Sequence, residues 1–558
     1  MNLINKFFLL LLSVCANLHA QQVSWVFTSG GVQTQSGTVC DIFADGSILN
    51  CGFFEGQTNF YPGDNTPRFS RGGRDIFVQK LDTNGITQWV VTLGGKGEEL
   101  ITDLAIDGEG NILLAGTFTD TVDFDPGNGV DIGISNGQTD MFIVKLDASG
   151  NYLWSKRFGG TSDDEIIGLA IDSNGSIFIG GNFKATVDFS TNATPNLQHS
   201  LGAFSGFVMM LDNQGEMQWF KKFGNGTNNL SLNHLEVTNT KVWISGVHSE
   251  DSINFGSALL PVWVYSSENQ QTFILQSDLQ GNSIRVDTFR STVTILDLKI
   301  DYQNNIFITG YFRGTADFDP GAAIYQVTVN GLKNDAFTLK LDSNAHFLWA
   351  KIFKSDMLAS TYGEKVRTFE NGDILLMFLF EGDVDFDPGS GIVTKSTNGN
   401  YDVGIVRLNE LGQFKWVHTF GGNGYDYGNG LSVEEDKFYV TGSFRSTVDF
   451  NPGGPPYSLT ANGSDAYLIK FGNYSALSTP GYETLQHKIY PNPTSGILQF
   501  DGAFEHAQLL NLQGQLVHQH ANLNEENRLD LSLLNEGVYL LKLIKQGRVS
   551  HHKVVVQR

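Results

Sequence analysis

Tryptophan recurs along this chain with a period near 65 residues. Trp25, Trp89, Trp154 and Trp219 stand 64, 65 and 65 residues apart; Trp349 lies two periods further on, and Trp416 follows 67 residues later. The missing member falls at Arg285, within NSIRVDTF (282–289). A strand-like pattern keeps the same beat: DIFVQKL (75–81), DMFIVKL (140–146), DAFTLKL (335–341), DVGIVRL (402–408) and DAYLIKF (465–471), with GFVMML (206–211) and QTFILQS (271–277) as degenerate copies. Both series count seven. Self-similarity at a fixed period marks a repeat architecture, in which each unit needs a neighbour to bury its apolar face.

Each unit reads as four strands. In 102–158, TDLAID and NILLAGTF alternate apolar and polar residues around the turn GEG, the pattern of a hairpin. A long loop runs from Asp120 to about Thr139, and MFIVKL and YLWSKRF form a second hairpin around DASGN. Four short strands per unit fit propeller blades, whereas solenoid repeats are usually shorter, about 20–45 residues. The region opens on a lone fourth strand, VSWVFTSGG (23–31), and closes on a third strand, 465–471. In a ring the first strand completes the last blade and leaves no open edge. The expectation is an all-β chain with a seven-bladed β-propeller over 21–475, closed by its N-terminal strand.

Composition removes several alternatives. The net charge of -23 argues against nucleic acid as a partner. The 12% aromatic content is too high for a disordered chain. No apolar run after the first 20 residues reaches the ~20 residues that a membrane helix needs. Lys6, the apolar run from Phe7 to Val14 and a small-residue end at Ala20 read as a signal peptide over 1–20. The three cysteines are too few for a disulfide scaffold. Cys40 and Cys51 flank the first hairpin turn in VCDIFADGSILNC, nearly opposite each other. Two readings stand there, a disulfide or two buried thiols; export permits the bridge and the placement favours it.

Segments 93–118, 158–183 and 420–444, such as FGGTSDDEIIGLAIDSNGSIFIGGNF, resemble bacterial seven-bladed β-propeller repeats of secreted proteins. The resemblance implies a fold and no reaction. After a Ser/Thr/Pro/Gly linker (476–486) the charge balance changes: 482–558 carries seven acids and seven bases. Alternating stretches in 487–558 describe a small Ig-like β-sandwich. This module resembles the type A sorting domain of the type IX secretion system. The matching residues are Pro491, Asn492, Pro493 and Gly496 in YPNPTSG (490–496), and Gly514 in NLQGQLV (511–517). Gly537 and Tyr539 follow in LDLSLLNEGVYLLKL (529–543), and Lys553 and Arg558 in KVVVQR (553–558). The resemblance implies engagement with the type IX machinery, removal of the module near the linker, and a secreted or outer-membrane-surface protein.

Reactive signatures are missing. The chain has no GxSxG, no GxxxxGK[ST] and no HExxH. His199, His234, His248, His346 and His418 are scattered without metal-ligand spacing. The best polar pattern is DFDPG, with Asp123 and Asp125, Asp317 and Asp319, and Asp385 and Asp387; variants occur at 449–453, 59–64, 188–190 and 254–256. Carboxylates at alternate positions suit calcium. Asp before Pro-Gly equally suits a turn, and a pattern present in nearly every unit favours scaffold. No cofactor is expected, with calcium the one metal the residues suit. Topology puts DFDPG, TSDDE (161–165) and KGEE (96–99) on one acidic face. The expected function is a non-enzymatic binding or scaffold module for an extracellular glycan or protein. The alternative is a polysaccharide-active enzyme or glycan-binding lectin using that face, near Trp243, Trp263 and Tyr265.

Overall fold

The computed structural model describes residues 22–472 and 489–557, apart from 62–66, 193, 225–229, 250–251, 256–262, 266–270, 290–292, 330–332, 453, 501–505, 511–515, 522–527 and 546–547. The expected signal peptide, the linker, Gly514 and Arg558 lie outside the described residues. The chain divides into two units, Met1–Asn473 and Tyr474–Arg558. Every regular element described is a strand. Among the described residues, no helix is long and apolar enough to cross a membrane.

In the first unit the described strands make seven four-stranded antiparallel groups. The second group is representative: Glu99–Ile106, Ile112–Phe118, Asp140–Leu146 and Tyr152–Gly160 pair in that order. The first strands of the seven groups are Gln35–Ile42, Glu99–Ile106, Glu165–Ile171, Leu230–Val237, Val293–Ile300, Ser360–Thr368 and Tyr427–Glu434. Each lies against the first strand of the next group, and Tyr427–Glu434 lies against Gln35–Ile42. The seventh group takes its fourth strand from the start of the chain: Gln22–Gly31 runs antiparallel to Ser458–Gly472, from Gln22↔Gly472 to Ser29↔Ala466.

The tryptophan period has a physical cause. Each Trp of the series sits on a fourth strand, and Trp25, Trp89, Trp154 and Trp219 cover the hairpin turn of the following group. Trp89 lies over Gly150, Trp154 over Gly215, and Trp219 over Gly281. The Trp25 indole N–H donates to the Thr83 carbonyl at 3.2 Å, and that of Trp219 to Leu279 at 3.0 Å. Arg285, where the series lapses, reaches the same place and donates to the Asn344 carbonyl. The turns themselves are held by an aspartate. Asp147 Oδ1 accepts from the Ser149 and Asn151 N–H groups at 2.8 and 2.9 Å. Gly150, at φ +83°, supplies the left-handed residue that the turn requires.

DFDPG supplies the other link between groups. Its first residues form a short ribbon, Thr121–Asp123 with Ile132–Ile134, which pairs with the fourth strand of the preceding group through Gly94↔Asp123 and Gly95↔Val122. The same step recurs at Gly159↔Asp188 and Lys354↔Asp385. This explains the recurrent Gly-Gly. A methyl group on Gly94 would overlap the Asp75 carboxylate, and one on Gly95 the Thr121 carbonyl oxygen. The Phe of the motif is core. Phe124 meets Phe118 edge-on at 5.2 Å and Phe142 at 5.2 Å. Phe54–Phe60, Phe183–Phe189, Phe312–Phe318, Phe380–Phe386 and Phe444–Phe450 repeat the edge-on pair at 5.1–5.4 Å.

The expected Cys40–Cys51 bridge is not formed; both thiols are free and buried. Across the turn Ile42 pairs with Ile48 and Cys40 with Asn50, so Cys51 is offset by one residue and faces Val39. A one-residue offset places a side chain on the opposite face of the sheet. Cys40 packs with Tyr439 and Leu468, whereas Cys51 packs with Ile76 and Val78. Burial pushes the Cys40 thiol up to about 12.

The second unit is a sandwich. One sheet holds Ile489–Tyr490, Ile497–Phe500 and Arg528–Asp530; the other holds Leu516–Ala521, His506–Leu510, Gly537–Lys545 and Arg548–Val556. Leu498 and Leu529 from the first meet Leu509, Leu541, Leu543, Val554 and Val556 from the second in one core.

Candidate functional site

Every first strand carries a β-bulge at the same place, at Thr38, Thr102, Ile167, Asn233, Leu296, Glu364 and Asn429. A bulge bends the strand and re-aims the side chains beyond it. The residues one and three positions after the bulge line a polar cavity of about 300 Å3 where the first strands converge. The third and seventh groups contribute small residues, Ala170, Gly430 and Ser432. The fourth, fifth and sixth contribute His234 and Glu236, Asp297 and Lys299, and Lys365 and Arg367. Asp41 and Asp103 complete the wall.

Asp297 is the hub. It is 1% exposed and receives the Arg367 guanidinium at 2.7 Å, the Val366 N–H at 2.8 Å and His234 Nδ1 at 3.5 Å. Burial alone would raise its pKa; the charges of Arg367, first, and Lys365 outweigh burial and hold the carboxyl below its usual range. Lys299 pairs with Glu236 at 2.5 Å. Asp103 accepts from the Leu104 and Leu169 N–H groups, both at 2.9 Å, yet burial pushes its pKa up to about 6. Burial lowers the pKa of His234, and its buried Nε2 has no partner. With Nδ1 turned to Asp297, the Nε2 of neutral His234 is an unpartnered acceptor buried in the cavity wall. Arg367→Met should cost about 2–3 kcal/mol in urea unfolding. That is below the ~3–5 typical of a broken buried pair, because Lys365 and the Val366 N–H still face Asp297.

The DFDPG carboxylates stand elsewhere, in the ribbons. Asp123 Oδ1 accepts from the Asp125 and Asp131 N–H groups at 3.2 and 2.9 Å, and Asp125 from Gly127 at 2.8 Å. Asp317 and Asp385 hold the same pair of amides, and Asp319 and Asp387 the same glycine. Among the described residues, no group of three or more His, Cys, Asp or Glu is arranged to hold a metal. Trp243 is buried in the core, and the side chains of Trp263 and Tyr265 lie outside the described residues.

Acids also meet at the joints between groups. Glu99, Asp164 and Asp426 each accept the second Gly N–H of the Gly-Gly step, at 3.0, 2.8 and 2.7 Å. Each lies near a buried partner, Asp75, Asp140 or Asp402. Burial first, then the like charge, pushes Glu99 up to about 8 and Asp164 and Asp402 up to about 7. Raised carboxyls favour the protonated native state, so their stabilisation is lost as pH rises through the folded values. Between pH 7.5 and 8.5 unfolded histidines are mostly neutral and ordinary carboxylates are ionised in both states. The urea midpoint should therefore fall across that window, and Glu99→Gln should flatten the slope; an unchanged slope would contradict the assignment.

In the second unit the Asn492 side-chain oxygen accepts from the Val555 N–H at 2.9 Å, and the Tyr539 hydroxyl donates to the Asn535 carbonyl at 2.8 Å. Gly537 opens the strand whose Leu540 pairs with Lys553. Residues 488–557 match the family model of the secretion system C-terminal sorting domain, and residues 153–182 match the β-propeller repeat. The chain carries a β-propeller repeat and a type IX sorting domain. The sorting domain makes the protein a client of the type IX secretion machinery, secreted or held at the outer-membrane surface. Two relatives share part of it. An uncharacterized WD repeat-containing protein of Acanthamoeba polyphaga mimivirus is 27% identical over 206 residues, 32% of this chain and 15% of the relative. The regulatory protein FlaEY of Caulobacter vibrioides is 26% identical over 176 residues, 31% and 18%. The match thus spans under a fifth of either relative. Among solved structures, the extracellular domain of a putative one component system from B. thetaiotaomicron is 12% identical with a TM-score of 0.14, covering 97% of this chain and 99% of that one.

The sequence reading passed over the cavity residues. Their signal was available only once the units were aligned on the bulge, because the lining positions differ in identity from unit to unit.

Proposed function

We propose that the first unit is a seven-bladed β-propeller, closed by Gln22–Gly31, that acts outside the cell as a non-enzymatic binding module. The cyclic adjacency of the first strands and the pairing of Gln22–Gly31 with Ser458–Gly472 support the closed ring. The cavity carries the functional reading. Its acids are engaged by backbone amides and fixed cations, and His234 in its wall carries a buried Nε2 acceptor without a donor. A pocket of this size with a few placed polar groups suits a small hydrogen-bonding solute.

The test is a thermal-melt screen of the full chain against amino acids, monosaccharides and short oligosaccharides, each with and without calcium. A ligand of the native state raises the Tm as its concentration rises. The expected result is a shift that His234→Phe removes. Flat melts with every solute would overturn the reading. Turnover of a polysaccharide would replace it with the enzymatic one. A calcium shift removed by Asp123→Asn and Asp125→Asn would make DFDPG a metal site.

A further inference from the structure

Five of the chain's 17 tyrosines gather in one place, across the fifth to seventh groups. Tyr311 meets Tyr362 at 5.0 Å between ring centroids, Tyr362 meets Tyr401 at 6.2 Å, Tyr401 meets Tyr425 at 6.1 Å, and Tyr425 stacks on Tyr427 at 6.2 Å and 5°. Tyr362 and Tyr427 occupy one repeat position, two residues before the bulge. The other five groups place Ser36, Leu100, Glu165, Ser231 and Thr294 there. A scaffold role would recur in each unit; this cluster does not.

The arc is open and rigid. Tyr425 is 40% exposed and Tyr427 36%, and the other three are half-buried. Its backbone is pinned: the Asp426 N–H donates to the Tyr401 carbonyl at 2.9 Å, and the Tyr467 hydroxyl to the Tyr427 carbonyl at 2.8 Å. Asn334 donates to the Tyr362 hydroxyl at 3.3 Å. The rings stand where the first strands begin, the end that also carries the ribbons.

We propose that this tyrosine arc is a binding platform for a neutral polysaccharide. Tyrosine gives rigid, amphipathic contact area at low entropic cost, with a face for an apolar surface and a hydroxyl for a polar rim. A sugar chain presents both: C–H faces that stack and hydroxyls that bond. The charge of the molecule chooses among sugars. At the arc itself the charges are matched, with Glu381 near Tyr401 paired to Lys333 at 2.7 Å and Arg445 near Tyr427 beside the buried Asp426, while the chain as a whole carries a net charge of -23. A polyuronate is repelled by that net charge and a neutral glycan is not. The site is separate from the bulge-lined cavity and does not rest on its ligand.

Native affinity electrophoresis of the full chain tests it, with laminarin, xyloglucan and mannan as neutral probes and alginate as the polyanion. At least one neutral polysaccharide should retard the protein, and alginate should not. Tyr425→Ala with Tyr427→Ala should weaken the retardation at least about tenfold, Tyr427→Phe should preserve most of it, and Tyr302→Ala, an exposed ring on a hairpin turn, should preserve all. If the double variant melts early, Tyr425→Ala alone gives the comparison. Absence of retardation by all three neutral probes, equal retardation of the double variant, or stronger retardation by alginate would each overturn the proposal.

Discussion

Deleting residues 553–558 should abolish appearance of the protein outside the cell. The segment contributes Val554 and Val556 to the sandwich core and the last four residues of the strand paired to Gly537–Lys545. It also anchors the PNPTSG turn: the Thr494 N–H donates to the Val555 carbonyl at 2.8 Å, and the Gln557 N–H to the Thr494 carbonyl at 2.9 Å. Deletion therefore removes the last four residues of a nine-residue strand and two core side chains together. The readout is an immunoblot of medium, cell surface and periplasm, with the truncated chain expected in the periplasm alone. Lys553→Ala separates two causes. It leaves both valines in place, so normal export would assign the loss to the fold of the sandwich, and failed export to the lysine itself. Undiminished export of the truncated chain would contradict both.

Phe124→Ala should cost about 3–5 kcal/mol, as buried Phe-to-Ala substitutions do. The ring is fully buried between Phe118 and Phe142. Asp125→Ala should cost under about 1 kcal/mol, because its carboxylate holds one exposed turn amide. Denaturant unfolding of the two variants side by side separates the scaffold role of DFDPG from any ligand role. Equal losses would mean that the ribbon, and not the aromatic contact, holds adjacent groups together.

These two predictions mark how far the sequence carries. The all-β fold and the strands of the unit were legible because their pattern recurs in nearly every unit. The charged cavity wall was not, since a period search averages away positions that differ between units. His234 looked like a scattered histidine until the bulge at Asn233 set it beside Asp297. The cysteine bridge failed on one residue. The five-residue turn 43–47 pairs Cys40 with Asn50, and no composition argument detects an offset of one. The tyrosines were visible as residues, but their meeting depends on three groups converging at one end.

The pairing of Val23 with Phe471 also sets a schedule for folding. The last sheet cannot be completed until almost the whole first unit has been made, so its final contact closes a loop of more than four hundred residues. Contacts of such long range are formed late and slowly, and the edges left open meanwhile invite misassembly. Until then residues 22–29 have no strand partner, and only Gly30 and Gly31 can pair early, with Asn59 and Thr58. A ribosomal stall just before 458 would leave a chain that has nearly all its sheets and no means of finishing the last.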